Sequence, residues 1–389
     1  MRSPSAKPLA GIKVLDVSRV VSGPFCTMVL GDLGADIVKV EEPVHGDESR
    51  GYGPPFQNGE SAYFLSVNRN KRSIAANLRH GEGRDLVCRL AETADVFVEN
   101  FRPGTADRLG LGFEALRQRN AGLIYCSISG FGRSGPDAHR PGYDLIVQGE
   151  AGLMDITGHP GGPPTKVGTS IADLVTGLYA AQAITAALVG RRETGAGQRV
   201  DIAMADAVAS LLTFNAGIYF ATGDSPTRRG NAHPTISPYE TFQAADGWLN
   251  IGVANDKFWA LFCGAIGCPD LMADPRFATP SARVSHRPEL ISMMAPLLRH
   301  RRRDEWVSIL GAAGVPCGAI RTVAEVCTAP QLAERGMFLD ATHPTAGDIR
   351  SIATPFRFDD QPPPAPRPPP LLDQHRDEIL RDWSIRGNE

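Results

Sequence analysis

The sequence has no surplus of charge of either sign. Its 389 residues carry 40 lysines and arginines against 43 aspartates and glutamates, a net charge of −3. Without a broad basic field there is nothing to hold nucleic acid or an anionic membrane surface, so neither partner is expected. Cysteine is sparse and dispersed, at Cys26, Cys88, Cys126, Cys263, Cys268, Cys317 and Cys327. An odd number of cysteines in a long chain does not suggest a disulfide framework. Cys88 and Cys126 lie in apolar runs and read as core residues. Only Cys263 and Cys268 are close in sequence, and no histidine nearby completes a ligand pattern, so no metal is expected. No uninterrupted apolar run approaches the ~20 residues that cross a bilayer. The opening MRSPSAKPLAG has no apolar signal core, and a cytoplasmic protein is expected. There is no G-x-S-x-G elbow, no P-loop and no H-E-x-x-H, which removes the commonest signatures of serine hydrolases, nucleotide hydrolases and zinc peptidases.

What is there, first, is alternation. Strands are expected at residues 12–18 (IKVLDVS), 37–41, 95–100 (DVFVEN), 123–129 (LIYCSIS) and 198–204. Helices are expected at residues 24–34, 84–93, 113–119, 144–154, 173–191 and 205–222. Pro24 suits the first turn of its helix. Repeated strand–helix–strand units predict an α/β fold with a parallel sheet covered on both faces. Near residue 223 the texture changes to a loop, GDSPTRRGNAHPTISP. Short strands at 239–242 and 248–253 and helices at 256–266, 287–298 and 303–313 then predict a second, smaller α+β domain. A proline-rich stretch, residues 361–370, reads as extended, and a helix over 374–383 ends the chain.

Gly130-Phe-Gly-Arg-Ser-Gly135 fits the spacing of a dinucleotide fingerprint directly after a strand. That fingerprint needs its glycines to open a helix. Pro136 follows here, then Asp-Ala-His-Arg-Pro, so the glycines serve a sharp turn or a close backbone approach instead.

In a parallel sheet, ligands gather at the carboxyl edge of the strands. Asp173 opens an apolar helical run and reads as a helix cap. The same geometry favours its ionised form through the dipole and free amides, and an ionised carboxylate is a nucleophile toward a thioester. Two basic groups follow secondary-structure elements. Asn68-Arg-Asn-Lys-Arg-Ser73 is one, with Arg79 shortly after; Asn100-Phe-Arg-Pro-Gly104 is the other, with Arg108 a helical turn beyond. Together they would suit a ligand carrying several phosphates. Taken alone, both groups read as solvated surface charge.

The ordered segments LAGIKVLDVSRVVSGPFCTMVLGDLGADIVKVE, NRNKRSIAANLR, DVFVENFRPGTADRLG, SISGFGRSGP, PGYDLIVQGEAGLM, SIADLVTGLYAA, ETGAGQRVDIAMADA and GNAHPTISPYETF resemble the class III coenzyme A transferases (CaiB/BaiF), the carnitine/formyl-CoA transferase group. The resemblance runs from Pro8 to about Leu380. It implies a large Rossmann-like CoA-binding domain from residues 1–224 and 331–389, a small α+β domain from residues 225–330, and an interlocked homodimer. It places the nucleophile on Asp173 and the CoA contacts on Asn77, Leu78, Arg79, Asn100, Phe101, Arg102, Arg108 and Tyr143. Acyl-CoA and a carboxylic acid would be substrates, with no permanently bound cofactor. CoA would pass through an aspartyl anhydride and an aspartyl-CoA thioester.

Val21 stands where the formyl-CoA enzyme has glutamine. GDESRGYGPPF, GVPCGAI, HPTAG and RPPPLLDQH look most like the branch that uses succinyl-CoA and a dicarboxylate. A dicarboxylate needs a cation for its distal carboxylate, and Arg50, Arg228 and Arg229 are the candidates. Asp373 stands where the family often has glycine. Two alternatives remain on the same fold: an α-methylacyl-CoA racemase, whose catalytic histidine is here replaced by Tyr143, and a CoA-binding protein without turnover.

Overall fold

Alternating β-branched and aliphatic residues build the central sheet. A computed structural model of the chain describes residues 7–362 and 365–383. The first six residues of the opening segment and part of the proline-rich stretch lie outside the described residues. Six strands run parallel: β1 (Lys13–Asp16), β2 (Asp36–Glu41), β3 (Lys71–Ala75), β4 (Val96–Glu99), β5 (Ile124–Ser129) and β6 (Arg199–Ala203), in the order β3-β2-β1-β4-β5-β6. Leu15 of β1 sits opposite Val38 on one side and Phe97 on the other.

Successive side chains leave opposite faces of a strand, and both faces are covered. Leu15, Val38, Phe97 and Tyr125 pack beneath α2 (Gly81–Thr93) and α3 (Phe113–Arg119). Val14, Ile37, Val96, Val98, Ile124 and Cys126 pack beneath α1 (Ser22–Asp32) and α5 (Ile171–Thr194). The strand order reverses between β1 and β4. Chains leaving those two strands part in opposite directions, and the crevice at their carboxyl ends is the ligand position of this topology.

Four features differ from the sequence expectations. First, the basic run at 68–73 is not a solvent-facing loop but contains strand β3. Its cations are buried against acids of neighbouring elements: Arg69 on Asp32 (2.6 Å), Lys71 on Asp16 (3.1 Å), and Arg72 on Asp36, Glu378 and Asp382 (2.5, 3.1 and 2.9 Å). Paired charge is compatible with burial, and it hid the strand from a reading based on apolar alternation. Second, the helix expected over 144–154 stops as α4 (Asp144–Glu150), with a separate turn at Leu153–Ile156. Third, the helix expected over 205–222 is broken by Thr213 at φ 33 into α6 (Met204–Ala209) and α7 (Thr213–Thr222). Fourth, Ile171–Thr194 and Met204–Thr222 are long and apolar enough to cross a membrane by length and composition. The first of them lays Ala180, Ala181, Ile184, Ala187 and Leu188 into the core and leaves Leu178, Tyr179 and Val189 exposed.

The chain divides into two compact units, one of Met1–Leu153, Lys166–Ala221 and Pro330–Glu389, the other of Met154–Thr165 and Thr222–Ala329. The smaller unit has an antiparallel sheet of β7 (Tyr239–Gln243), β8 (Trp248–Gly252) and β9 (Cys317–Ala319), packed with α8 (Asp256–Ala265), α9 (Arg287–Leu298) and α10 (Arg303–Ala312) around Phe242, Leu249, Trp259, Phe262 and Phe277. In the larger unit the returning chain lies along the edge strand β3. The Ala75 amide donates to Asp373 (2.7 Å), and the His375 amide donates to the Ser73 carbonyl (3.1 Å). Helix α11 (Arg376–Asp382) then seats Ile379 and Trp383 in the core. Asp373 adopts φ 58, which accounts for a position where glycine is at home.

Candidate active site

The loop after β1, the segment after β4, the turn after β5, the Arg140–Tyr143 segment and the start of α5 surround one cavity of about 170 Å³. This is the crevice that the strand order selects.

Asp173 lines it. Ser170, not Asp173, occupies the N-cap of α5, and Asp173 is in the first turn. Asp173 is not held ionised by free amides. Burial raises its pKa to about 7, the carboxylate of Asp144 adds to the rise, and a hydrogen bond with Ser22 opposes it. Burial outweighs the expected dipole effect, and the neighbouring Ala172 amide donates to Asp144 Oδ1 (2.9 Å). That contact brings a second negative charge close to the first. Asp144 is also bonded by the Gln148 side chain (2.8 Å).

Ser22 reaches Asp173 because α1 and α5 approach closely at Gly177. A Cβ there would lie 2.7 Å from the Ser22 carbonyl oxygen and 3.2 Å from the Cys26 nitrogen. A second pair of glycines explains part of the G-x-G-x-x-G decoy. A Cβ on Gly130 would lie 2.6 Å from Gly142 Cα, so two backbones cross where side chains have no room.

The loop carrying Arg19–Val21 is clamped from both sides. Asn100 Oδ1 accepts from the Arg19 amide (2.8 Å) and its Nδ2 donates to the Arg19 carbonyl (2.7 Å). Val20 has φ 70, a strained conformation for a β-branched residue, and its amide donates to Asp47 (3.2 Å). Asp47 is fixed in turn by buried Lys39 at 2.7 Å. Burial alone would raise the Asp47 pKa; Lys39 overrides it and holds the group at about 2. Lys39 also donates to the Ser18 carbonyl (2.9 Å). Deeper still, Asp16 joins Lys71, Ser18 and Thr27. Burial pushes Lys71 down to about 8, against the pull of Asp16 and helped by the like charge of Lys39.

Phe101 is placed by Glu99, a buried acid that accepts from the Phe101 amide (2.8 Å) and from the Ser127 hydroxyl. Arg133 of the glycine-rich segment pairs with Glu99 (3.5 Å) and Asp107 (3.0 Å).

Of the expected site residues, Asp173, Asn100, Phe101, Arg102 and Tyr143 line this cavity together, whereas Asn77, Leu78, Arg79 and Arg108 do not. Leu78 packs against the core and Asn77 accepts from the Arg79 amide (3.0 Å). Arg108 donates to the Thr105 hydroxyl (2.9 Å). All four follow the carboxyl ends of β3 and β4 in the chain. Two of the arginines considered for a distal carboxylate are committed elsewhere. Arg50 is forked onto Glu41 (2.7 Å twice) and bonded to the Pro370 carbonyl; Arg228 holds Asp155 and the Gly162 carbonyl. The sequence reading missed Arg19, Glu48, Arg140 and Asp144. Arg19 and Asp144 each stand one to three residues from a position singled out for chemistry, which is the signal that was available.

The chain matches the model of CoA-transferase family III over residues 9–376. It is 41% identical over 378 residues to a succinyl-CoA:glutarate CoA-transferase of Mus musculus, covering 97% of this chain and 87% of that protein. It is 40% identical over 387 residues to a succinyl-CoA:mesaconate CoA-transferase of Haloarcula marismortui, covering 97% and 96%. A crystal structure of a CAIB/BAIF family protein from Brucella suis superposes with a TM-score of 0.89 at 43% identity, covering 97% of this chain and 100% of that one.

Proposed function

The chain belongs to CoA-transferase family III, and on that premise we propose that it moves CoA from succinyl-CoA to a dicarboxylic acid through covalent intermediates on Asp173. The named activities of its relatives support the donor and the acceptor class. The observation that carries the nucleophile is a partly buried carboxylate in the first turn of a helix, lining the switch-point cavity beside Asn100, Phe101, Arg102 and Tyr143.

A carboxylate oxygen of Asp173 attacks the succinyl thioester carbon. The C–S bond breaks, CoA leaves as thiolate, and a succinyl-aspartyl anhydride remains. The thiolate attacks the aspartyl carbonyl and expels succinate, leaving an aspartyl-CoA thioester. The acceptor carboxylate attacks that carbonyl, the C–S bond breaks, thiolate is released again, and an acceptor-aspartyl mixed anhydride remains. Attack of the thiolate on the acceptor acyl carbon gives the new thioester and frees Asp173. No proton is consumed and the thioester bond energy is kept, so the sequence draws on neither ATP nor a metal. Water has to be kept out, because it hydrolyses each intermediate.

CoA lies along the carboxyl edge of the sheet in this reading, with Asn77, Leu78, Arg79 and Arg108 toward its nucleotide end and Asn100, Phe101, Arg102 and Tyr143 toward the thioester. The larger unit is the CoA-binding domain. The protein works in the cytoplasm as a homodimer, and the exposed apolar side chains of Leu178, Tyr179 and Val189 on α5 and Phe214, Tyr219 and Phe220 on α7 support a partner copy. Light scattering on the eluting protein tests this; a monomer mass removes it.

Incubation with succinyl-CoA and hydroxylamine, followed by peptide mass mapping, tests the chemistry. A hydroxamate on Asp173 that is absent from Asp173→Ala is the expected result. Exchange of the α-proton for deuterium without any adduct would instead make the protein a racemase.

A further inference from the structure

Three arginines line the cavity with Asp173: Arg19, Arg102 and Arg140. Arg140 is held by two carboxylates, Glu150 at 2.6 Å and Asp137 at 3.2 Å. Arg102 belongs to the segment assigned above to CoA. Arg19 differs from both. Its backbone is fixed on either side by Asn100. Its guanidinium lies 5.7 Å from the centre of the Phe101 ring. Among the described residues its one carboxylate partner is Glu48 at 2.6 Å, and the two side chains are about half exposed, 47% and 50%. Glu48 lines the same cavity. Ser22, which touches the nucleophile, is three positions after Arg19, so their Cα atoms lie within ~10 Å.

We propose that Arg19 reads the distal carboxylate of the dicarboxylate substrate, and that Glu48 occupies its guanidinium until that carboxylate displaces it. This rests on the transferase reading and names the selector within that site. An exposed ion pair holds weakly, so trading Glu48 for a substrate carboxylate costs little, while a planar fork on a rigid loop favours a carboxylate at one distance. The Asn100 clamps hold the Arg19 backbone, so the cation is carried on a fixed stretch of loop beside the nucleophile. The distance from cation to nucleophile sets which chain length of diacid fits. Arg50 and Arg228 cannot serve this role without leaving Glu41 and Asp155.

The two partners give opposite signs, which separates selection from scaffolding. Arg19→Gln lowers the ratio of kcat/KM for glutarate over butyrate about tenfold, the size expected for one charge-assisted hydrogen-bonded contact. It lowers the ratio for succinyl-CoA over butyryl-CoA alike. Glu48→Gln raises both ratios by freeing Arg19. Unchanged ratios in either variant overturn the proposal. So does an Arg19→Gln defect that weakens every CoA ester equally, which would make Arg19 a CoA contact. If Arg19→Gln does not fold, the sign of the Glu48→Gln change decides alone. Failure of the transferase reading looks different: no hydroxamate forms on Asp173 of the unaltered enzyme and no acid of either kind accepts CoA.

Discussion

The carbonyl oxygen of Ser22 lies 2.7 Å from the point that a Cβ on Gly177 would occupy. Gly177 is one turn along α5 from Asp173, so the spacing of two helices is read directly at the nucleophile. In Gly177→Ala the added methyl forces α5 away from α1, costing about 1–3 kcal/mol of stability. Displacing Asp173 costs about 10²-fold in the rate of hydroxamate formation. Ser22→Ala keeps the helix contact and removes only the hydrogen bond, so it leaves the urea midpoint nearly unchanged and slows the same step less.

Asp173 has to be ionised to attack, and its pKa is raised to about 7 by burial and by Asp144. Activity at limiting donor therefore rises with pH through that region, close to tenfold per unit well below it, and levels off above. Asp144→Asn removes the neighbouring charge and moves the midpoint to lower pH. A profile that is flat between pH 5.5 and 8 would show that the free-enzyme carboxylate is not the nucleophile.

The same shift predicts a cost to stability. The folded-state pKa lies above the unfolded value of 3.8. The folded protein therefore gains from the protonated group at low pH and loses that gain as pH rises through about 7. Asp173→Asn should be inactive, yet melt a few degrees higher than the parent at pH 8, with the difference shrinking toward pH 5. Thermal scans at both pH values measure it.

Lys71 and Asp16 are both fully buried and 3.1 Å apart. Lys71 also donates to the Pro24 carbonyl and to Asn68, each at 2.9 Å. Lys71→Met leaves Asp16 without its nearest countercharge and should cost about 3–5 kcal/mol, read as a fall in the urea midpoint. A midpoint close to that of the parent would mean that Lys39, Ser18 and Thr27 suffice for Asp16.

Asp373 combines a left-handed backbone with an acceptor for the Ala75 amide. Asp373→Ala keeps the strain and loses the bond, while Asp373→Gly loses the bond but relieves the strain. The expected order of stability is parent, then Gly, then Ala, with Ala about 1–3 kcal/mol below the parent.

Sheet and helices were legible where apolar periodicity governed them: Val14 and Leu15, Val96 to Val98, and the run after Asp173 all fell into the expected elements. β3 was illegible for the opposite reason. Lys71 and Arg72 have the composition of a loop, and only acids more than thirty residues away in sequence, at Asp16 and Asp36, make them core. The same limit applies at the site. Asp173 could be singled out from its helix start and the family resemblance, but its raised pKa could not, because that depends first on burial and then on Asp144 arriving from another helix. Arg19 went unnoticed in the sequence because what marks it, Asn100 and Glu48 beside it, comes from distant segments.

The stitching of Asp373 and His375 onto β3 also orders events during synthesis. The Ala75 amide waits for a partner 298 residues later in the chain, and Arg72 has Asp36 as company long before Glu378 and Asp382 exist. A ribosome therefore displays a bare β3 edge through most of elongation, while all of Thr222–Ala329 emerges ahead of that cover. Exposed strand edges recruit other strands. For this chain the interval between making the sheet and sealing its edge is set by the speed of translation.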